Sequence, residues 1–133
     1  MNELGIGRIV CLTPLSEIRD RSKQYYELIT AGSLPWKFDQ FPIPDFGVPR
    51  DWDSFLNLVY DTASNVRSGE RILIHCYAGI GRTGTFAMVL LMALGMSRVD
   101  GAAAVRMAHA HPEGMDQQDL IDWCAEKIQK RTG

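Results

Sequence analysis

The stretch Arg71-Ile72-Leu73-Ile74-His75-Cys76-Tyr77-Ala78-Gly79-Ile80-Gly81-Arg82-Thr83-Gly84 carries most of what this chain says about itself. Its first five residues are a compact run with no polar alternation at the centre, which predicts a parallel strand covered on both faces. A glycine-rich turn follows. Beyond it the nearly apolar segment Phe86 to Met96 predicts a buried helix, far short of the roughly 20 residues that a membrane span needs.

Working outward, the order of elements repeats this theme. Arg8 to Leu12 is a short β-favouring run closed by Thr13-Pro14, a pair suited to the N-cap and first turn of a helix. From Leu15 to Ala31 one stripe collects Ile18, Ser22, Tyr25, Leu28 and Ile29, which predicts a single helix ended by Gly32. Trp36 to Ile43 alternates loosely and reads as a strand, and Pro44 to Pro49 is too rich in breakers to be anything but a loop. Asp51 is placed to cap a helix whose apolar positions include Trp52, Phe55, Leu56, Val59 and Ala63, with Ser68-Gly69 ending it. Two more helices, about Val99–Ala110 and Asp116–Lys130, complete the chain. The sequence β-α-β-α-β-loop-α-α-α predicts an α/β fold: a small, mostly parallel central sheet flanked by helices.

With 133 residues the chain is one domain's worth, and residues 1–133 are read as a single unit. Apolar residues make up 46% and charged residues 23%, which argues against disorder and coiled coil. Basic and acidic side chains number 14 and 16, a formal charge of −2 that gives no global pull toward nucleic acid or an anionic membrane. Any anion must be held locally. Residues Met1 to Gly5 carry neither a basic segment nor an apolar stretch, and Cys11, Cys76 and Cys124 show no paired spacing. Reduced thiols and a cytoplasmic location are the expectation.

Taken literally, Gly79 to Gly84 satisfies the dinucleotide fingerprint G-x-G-x-x-G between a strand and a helix. That fingerprint needs a second strand ending in an acid roughly 20 residues on, where this chain has the alanine-rich Gly101–Ala110 segment instead. The spacing of Cys76 and Arg82 supports a different chemistry. Five intervening residues close a tight loop around one small anion, and Gly79, Gly81 and Gly84 let backbone N–H groups turn inward. The start of the next helix adds its free N–H groups and dipole. Arg82 supplies a planar fork for two phosphate oxygens, and the same field favours the thiolate of Cys76 as a nucleophile.

His75-Cys76-x5-Arg82-Thr83-Gly84 resembles the signature loop of the cysteine-dependent protein tyrosine and dual-specificity phosphatases. Pro44-Asp45-Phe46-Gly47-Val48-Pro49 is similar to the mobile acid loop of that family, in the expected order and separation. The resemblance covers the chain from Leu4 onward, is greatest to the compact dual-specificity and kinase-associated members, and implies their protein tyrosine phosphatase-like fold. It implies that Cys76 attacks phosphorus, that Arg82 and the backbone of Tyr77, Ala78, Gly79, Ile80 and Gly81 hold the phosphoryl oxygens, and that Asp45 protonates the leaving oxygen. By the same resemblance Thr83 stabilises the leaving thiolate in the second step and His75 orients the loop. Gln117 and Gln118 fall where the family places the group that positions the hydrolytic water, although Asp116 reads equally well as a helix N-cap with both glutamines in the first turn. No metal and no cofactor is implied.

Ile43 stands where tyrosine-specific members carry tryptophan, and no Lys-Asn-Arg-Tyr recognition loop is present. The implied reaction is therefore hydrolysis of phosphate monoesters on proteins: phosphotyrosine, with phosphoserine and phosphothreonine. An inositol phosphate or another small phosphorylated metabolite is the alternative substrate, and a non-catalytic phospho-binding module the alternative role. Cys11 and Cys124 are read as core residues, Arg50 as a solvated charge, and His109 and His111 as surface or capping residues.

Overall fold

The computed structural model describes residues 5–44, 47–76 and 81–132. Three strands, β1 (Arg8–Cys11), β2 (Lys37–Gln40) and β3 (Ile72–His75), form a parallel sheet in the order β2-β1-β3. Arg8 stands opposite Lys37 on one side and Ile72 on the other, so all three strands run toward the same end. At their starting end Arg8 joins Asp39 at 2.8 Å and Glu70 at 2.7 Å, and Lys37 reaches Glu70 at 3.4 Å.

Period-two alternation divides the strands between two faces. Val10, with Ile72 and Ile74, packs into the main core together with Phe55, Val59, Phe86 and Val89. Those partners come from α3 (Trp52–Arg67) and α4 (Gly81–Ala93). Phe55 and Phe86 meet edge to face at 5.7 Å between centroids, a geometry that adds to their burial. α5 (Arg98–Met107) and α6 (Gly114–Thr132) lean on the outside of α4. The opposite sheet face is lightly covered. There Ile9, Tyr25, Leu73 and His75 line a shallow cavity of about 360 Å³, and Leu73 stays 44% exposed. The expectation of a strand covered on both faces thus fails at Leu73, because β3 is an edge strand of a narrow sheet.

The single helix expected over Leu15–Ala31 is two: α1 (Leu15–Arg21) and α2 (Lys23–Thr30). Ser22 breaks them apart. Its backbone is extended (φ −150°, ψ 93°) and its hydroxyl accepts from the Tyr25 N–H at 3.3 Å, capping α2. Pro14, one residue later than Thr13, stands at the cap of α1, while Thr13 is buried and its carbonyl accepts from Gln40 Nε2 at 2.8 Å. The expected stop at Gly32 holds: its φ of +67° lets the chain turn back so that Ser33 N–H reaches the Leu28 carbonyl. Asp51 caps α3 as expected, accepting from the Ser54 N–H at 3.1 Å.

α4 begins at Gly81, five residues before the apolar run that announced it, so Arg82 and Thr83 lie in its first turn. α6 begins at Gly114, which puts Asp116 inside the first turn and not at the cap. Cys11 and Cys124 are fully buried; burial pushes both thiols up, Cys124 to about 12. Among the described residues no helix is long and apolar enough to cross a membrane.

Candidate active site

Parallel strands deliver their following loops to one edge, and the candidate residues gather there. Cys76 is the first residue after β3, half-buried, and its sulfur accepts a hydrogen bond from the Thr83 hydroxyl at 3.0 Å. The sulfur therefore faces the first turn of α4, at the positive end of that helix's dipole. Tyr77, Ala78, Gly79 and Ile80, the expected phosphate cradle, lie outside the described residues.

Arg82 is 2% exposed. Its two terminal nitrogens donate to the two carboxylate oxygens of Glu17, at 3.2 and 3.0 Å, and Nη1 also donates to the Ile43 carbonyl at 3.0 Å. A guanidinium buried to this degree needs such partners, and the fork-on-fork geometry fixes its plane. Glu17 lies in the first turn of α1 and Ile43 just after β2, so one side chain ties together the loops that follow all three strands.

His75 ends β3, and its Nε2 is hydrogen-bonded to the Tyr25 hydroxyl at 2.8 Å. Burial lowers the imidazole pKa from its ordinary 6.5. Burial thus favours the uncharged form of a ring held from α2.

Asp45 and Phe46 lie outside the described residues, but both flanks of their loop are fixed. On one side Ile43 is held by Arg82. On the other, the Gly47 carbonyl accepts from Gln117 Nε2 at 3.0 Å, and Gly47 N–H donates to the Pro44 carbonyl at 2.9 Å. A cavity of about 430 Å³ lies against these flanks, lined by Phe41, Pro42, Pro44 and Pro49, with the exposed Arg50 at its edge.

The two glutamines part company. Gln117 is buried, and its carbonyl oxygen accepts from the Thr85 hydroxyl at 3.1 Å and from the Glu113 N–H at 2.6 Å. The single Thr85 hydroxyl proton is shared with the Gly81 carbonyl at 2.7 Å, and with its amide on Gly47 the Gln117 side chain braces Gly47 against α4. Gln118 is exposed and lines a separate cavity with Met88 and Arg106. It is not brought to the site. Glu113 is: its carboxylate lies so near Gly81 that a β-carbon there would sit 2.6 Å from Oε1.

Glu17, Tyr25 and Glu113 were not singled out from the sequence. Glu17 and Arg82 are 65 positions apart, and Tyr25 and His75 are 50. His111 lies at the surface as expected, its backbone pressed against Gly84, and His109 takes a positive φ of 61° beyond α5. Among the described residues no group of three or more His, Cys, Asp or Glu side chains is arranged to hold a metal.

Comparison with known proteins places this geometry. The chain is 34% identical over 89 residues to the tyrosine-protein phosphatase corkscrew of Drosophila virilis, matching 57% of this chain and 12% of that protein. It is 26% identical over 136 residues to the putative tyrosine phosphatase 067L of Invertebrate iridescent virus 3, matching 98% of this chain and 55% of the viral one. The chain thus spans at most about half the length of these relatives. Among solved structures, the active form of Tk-PTP superposes with a TM-score of 0.75 at 26% identity, covering 92% of this chain and 80% of the other. Kinase associated phosphatase gives a TM-score of 0.76 at 22% identity over 95% and 72% of the two chains, a likeness of fold. The family described as PTP-SAK, Swiss Army Knife protein, DSP-PTPase phosphatase domain, matches residues 1–131, and the chain belongs to it.

Proposed function

We propose that this domain hydrolyses phosphate monoesters on proteins, phosphotyrosine together with phosphoserine and phosphothreonine, through a cysteinyl-phosphate intermediate. The observation that carries the reading is the Thr83 hydroxyl directed at the Cys76 sulfur, together with an Arg82 guanidinium locked in plane by Glu17. A cysteine that served only packing has no use for either.

In the first step the Cys76 thiolate forms an S–P bond as the ester P–O bond breaks, and Asp45 gives its proton to the departing oxygen. Arg82 and the amides of residues 77–82 carry the charge on the phosphoryl oxygens. In the second step water forms an O–P bond as the S–P bond breaks. The water proton passes to the Asp45 carboxylate, and Thr83 donates to the departing sulfur. Glu113 and Gln117, whose side-chain oxygens both stand against Gly81, are better placed than the exposed Gln118 to orient that water. His75, neutral and tied to Tyr25, positions the loop. The partner is a phosphorylated protein, and the compartment a reducing, cytoplasmic one.

Acid quenching of the reaction with a radiolabelled phosphotyrosine peptide tests this. Wild type should yield labelled protein, Cys76→Ser none, and Thr83→Val more than wild type, because losing a hydrogen bond to a charged group slows the second step about tenfold to a hundredfold. Turnover without labelled protein would overturn the mechanism. A panel of phosphopeptides, inositol phosphates and nucleotides tests the substrate class, and preference for a soluble inositol phosphate would overturn it.

A further inference from the structure

The cavity of about 430 Å³ beside the acid-loop flanks is walled by five rings, those of Pro14, Phe41, Pro42, Pro44 and Pro49. Chain connectivity ties it to the candidate site. The Phe41 N–H donates to the Cys11 carbonyl at 2.8 Å and the Ile43 N–H to the Leu12 carbonyl at 3.0 Å, which fixes the segment after β2 against the end of β1. Ile43, between two of the wall prolines, gives its own carbonyl to Arg82. Pro14 stands at the cap of α1, the helix that brings Glu17 to the same guanidinium. Pro44 is followed directly by Asp45, so the wall begins one Cα step, about 3.8 Å, from the proposed acid. A peptide whose phosphorylated side chain lies over Cys76 therefore comes within two or three residues of this cavity, at about 3.3–3.6 Å per extended residue.

The walls also define what can enter. Prolines have no N–H, and that of Phe41 is spent on Cys11, so the rings offer an entrant no main-chain donor. Asp51 and Ser54 complete the lining, but the Asp51 carboxylate already accepts from the Ser54 N–H at 3.1 Å and from its hydroxyl at 2.8 Å. Arg50 and Asp51, adjacent and exposed, leave the rim without net charge. Selection here is by apolar area and shape. Prolines with fixed φ hold the hollow in one form, so little ordering is required when it fills.

We propose that this cavity is a substrate subsite for one apolar side chain, of leucine size or aromatic, two or three residues from the phosphorylated residue of a protein substrate. The proposal rests on the reading of proteins as the substrate, and deepens it by naming the sequence feature that the domain selects. Binding energy gained at this distance from phosphorus is the same before and during the chemical step, so it acts through KM.

Steady-state kinetics on phosphotyrosine peptides reads this directly. On an alanine-serine background, one leucine is moved from three residues before the phosphotyrosine to three residues after it. Leucine at a position two or three residues away should raise kcat/KM about tenfold over the leucine-free peptide, through KM. Ser54→Trp, which fills the cavity from its α3 wall, should erase that gain, and so should Ser54→Asp, which sets a charge in it. Hydrolysis of a small aryl phosphate, too short to reach the cavity, should be unchanged in both variants, which shows that they are folded. A kcat/KM that does not depend on where leucine stands, or a gain that survives both variants, would overturn the subsite while leaving protein phosphatase activity in place. Cleavage of the aryl phosphate with no hydrolysis of any peptide would overturn the choice of proteins as substrate, and the subsite with it.

Discussion

Arg82 and Glu17 are the pair on which the proposed chemistry leans hardest. The guanidinium is 2% exposed and Glu17 21%, so the carboxylate both orients the fork and offsets much of its charge. Glu17→Gln keeps the shape but turns an amide N–H toward one Arg82 nitrogen. We expect kcat to fall about tenfold with KM unchanged or lower, and thermal stability to drop by about 1.5–3 kcal/mol, the worth of a hydrogen bond between charged groups. Steady-state kinetics and calorimetry on the variant check both. His75 supplies a second residue-scale test. Its pKa is lowered by burial, so the unfolded chain takes up a proton at higher pH than the native one does. Its contribution to stability is complete above about pH 6.5 and is lost as pH falls through the native value. Tm measured from pH 7.5 downward should decline in this window, and His75→Asn should remove that part of the slope.

At the scale of elements, the motif residues were legible because their spacing is local: Cys76, Arg82 and Thr83 sit within eight consecutive positions, and the strand and helix around them have strong apolar patterns. What escaped was set by contacts distant in sequence. Ser22 lies on the apolar stripe, yet its hydroxyl caps α2 where the helix breaks, and the two helices so separated carry Glu17 against Arg82 and Tyr25 against His75. Gln117 and Gln118 are adjacent and chemically identical, and about 100° of helical rotation sends one into the site and the other away from it. Helix phase relative to α4 decides this, and a single sequence does not hold that information. The approach of α4 to the segment before α6 yields its own prediction. A β-carbon on Gly84 would lie 2.5–2.7 Å from the His111 backbone. Gly84→Ala must therefore push that segment off α4, at a cost of about 1–3 kcal/mol or more. Denaturant unfolding should show it, with activity falling as Gln117 loses its grip on Gly47.

For the whole molecule, the sheet sorts its three thiols. Cys76 opens onto the site, Cys11 lies in the central strand donating to the Thr13 carbonyl at 3.7 Å, and Cys124 is sealed between α6 and the core with its thiol raised to about 12. Iodoacetamide at neutral pH should modify Cys76 alone in the native protein, and a saturating oxyanion such as vanadate should protect it. Rapid labelling of Cys124 before unfolding would contradict the packing described above.

Because every strand points the same way, the domain has a working pole and a quiet one. The quiet pole is knotted by Arg8, Asp39, Glu70 and Lys37, away from all the groups assigned to chemistry. It is the natural place for a tether: a dye, a bead or a fused reporter attached beside that knot would leave the mouth of the site facing outward, and a surface-bound array of the domain would present all its mouths to the solution.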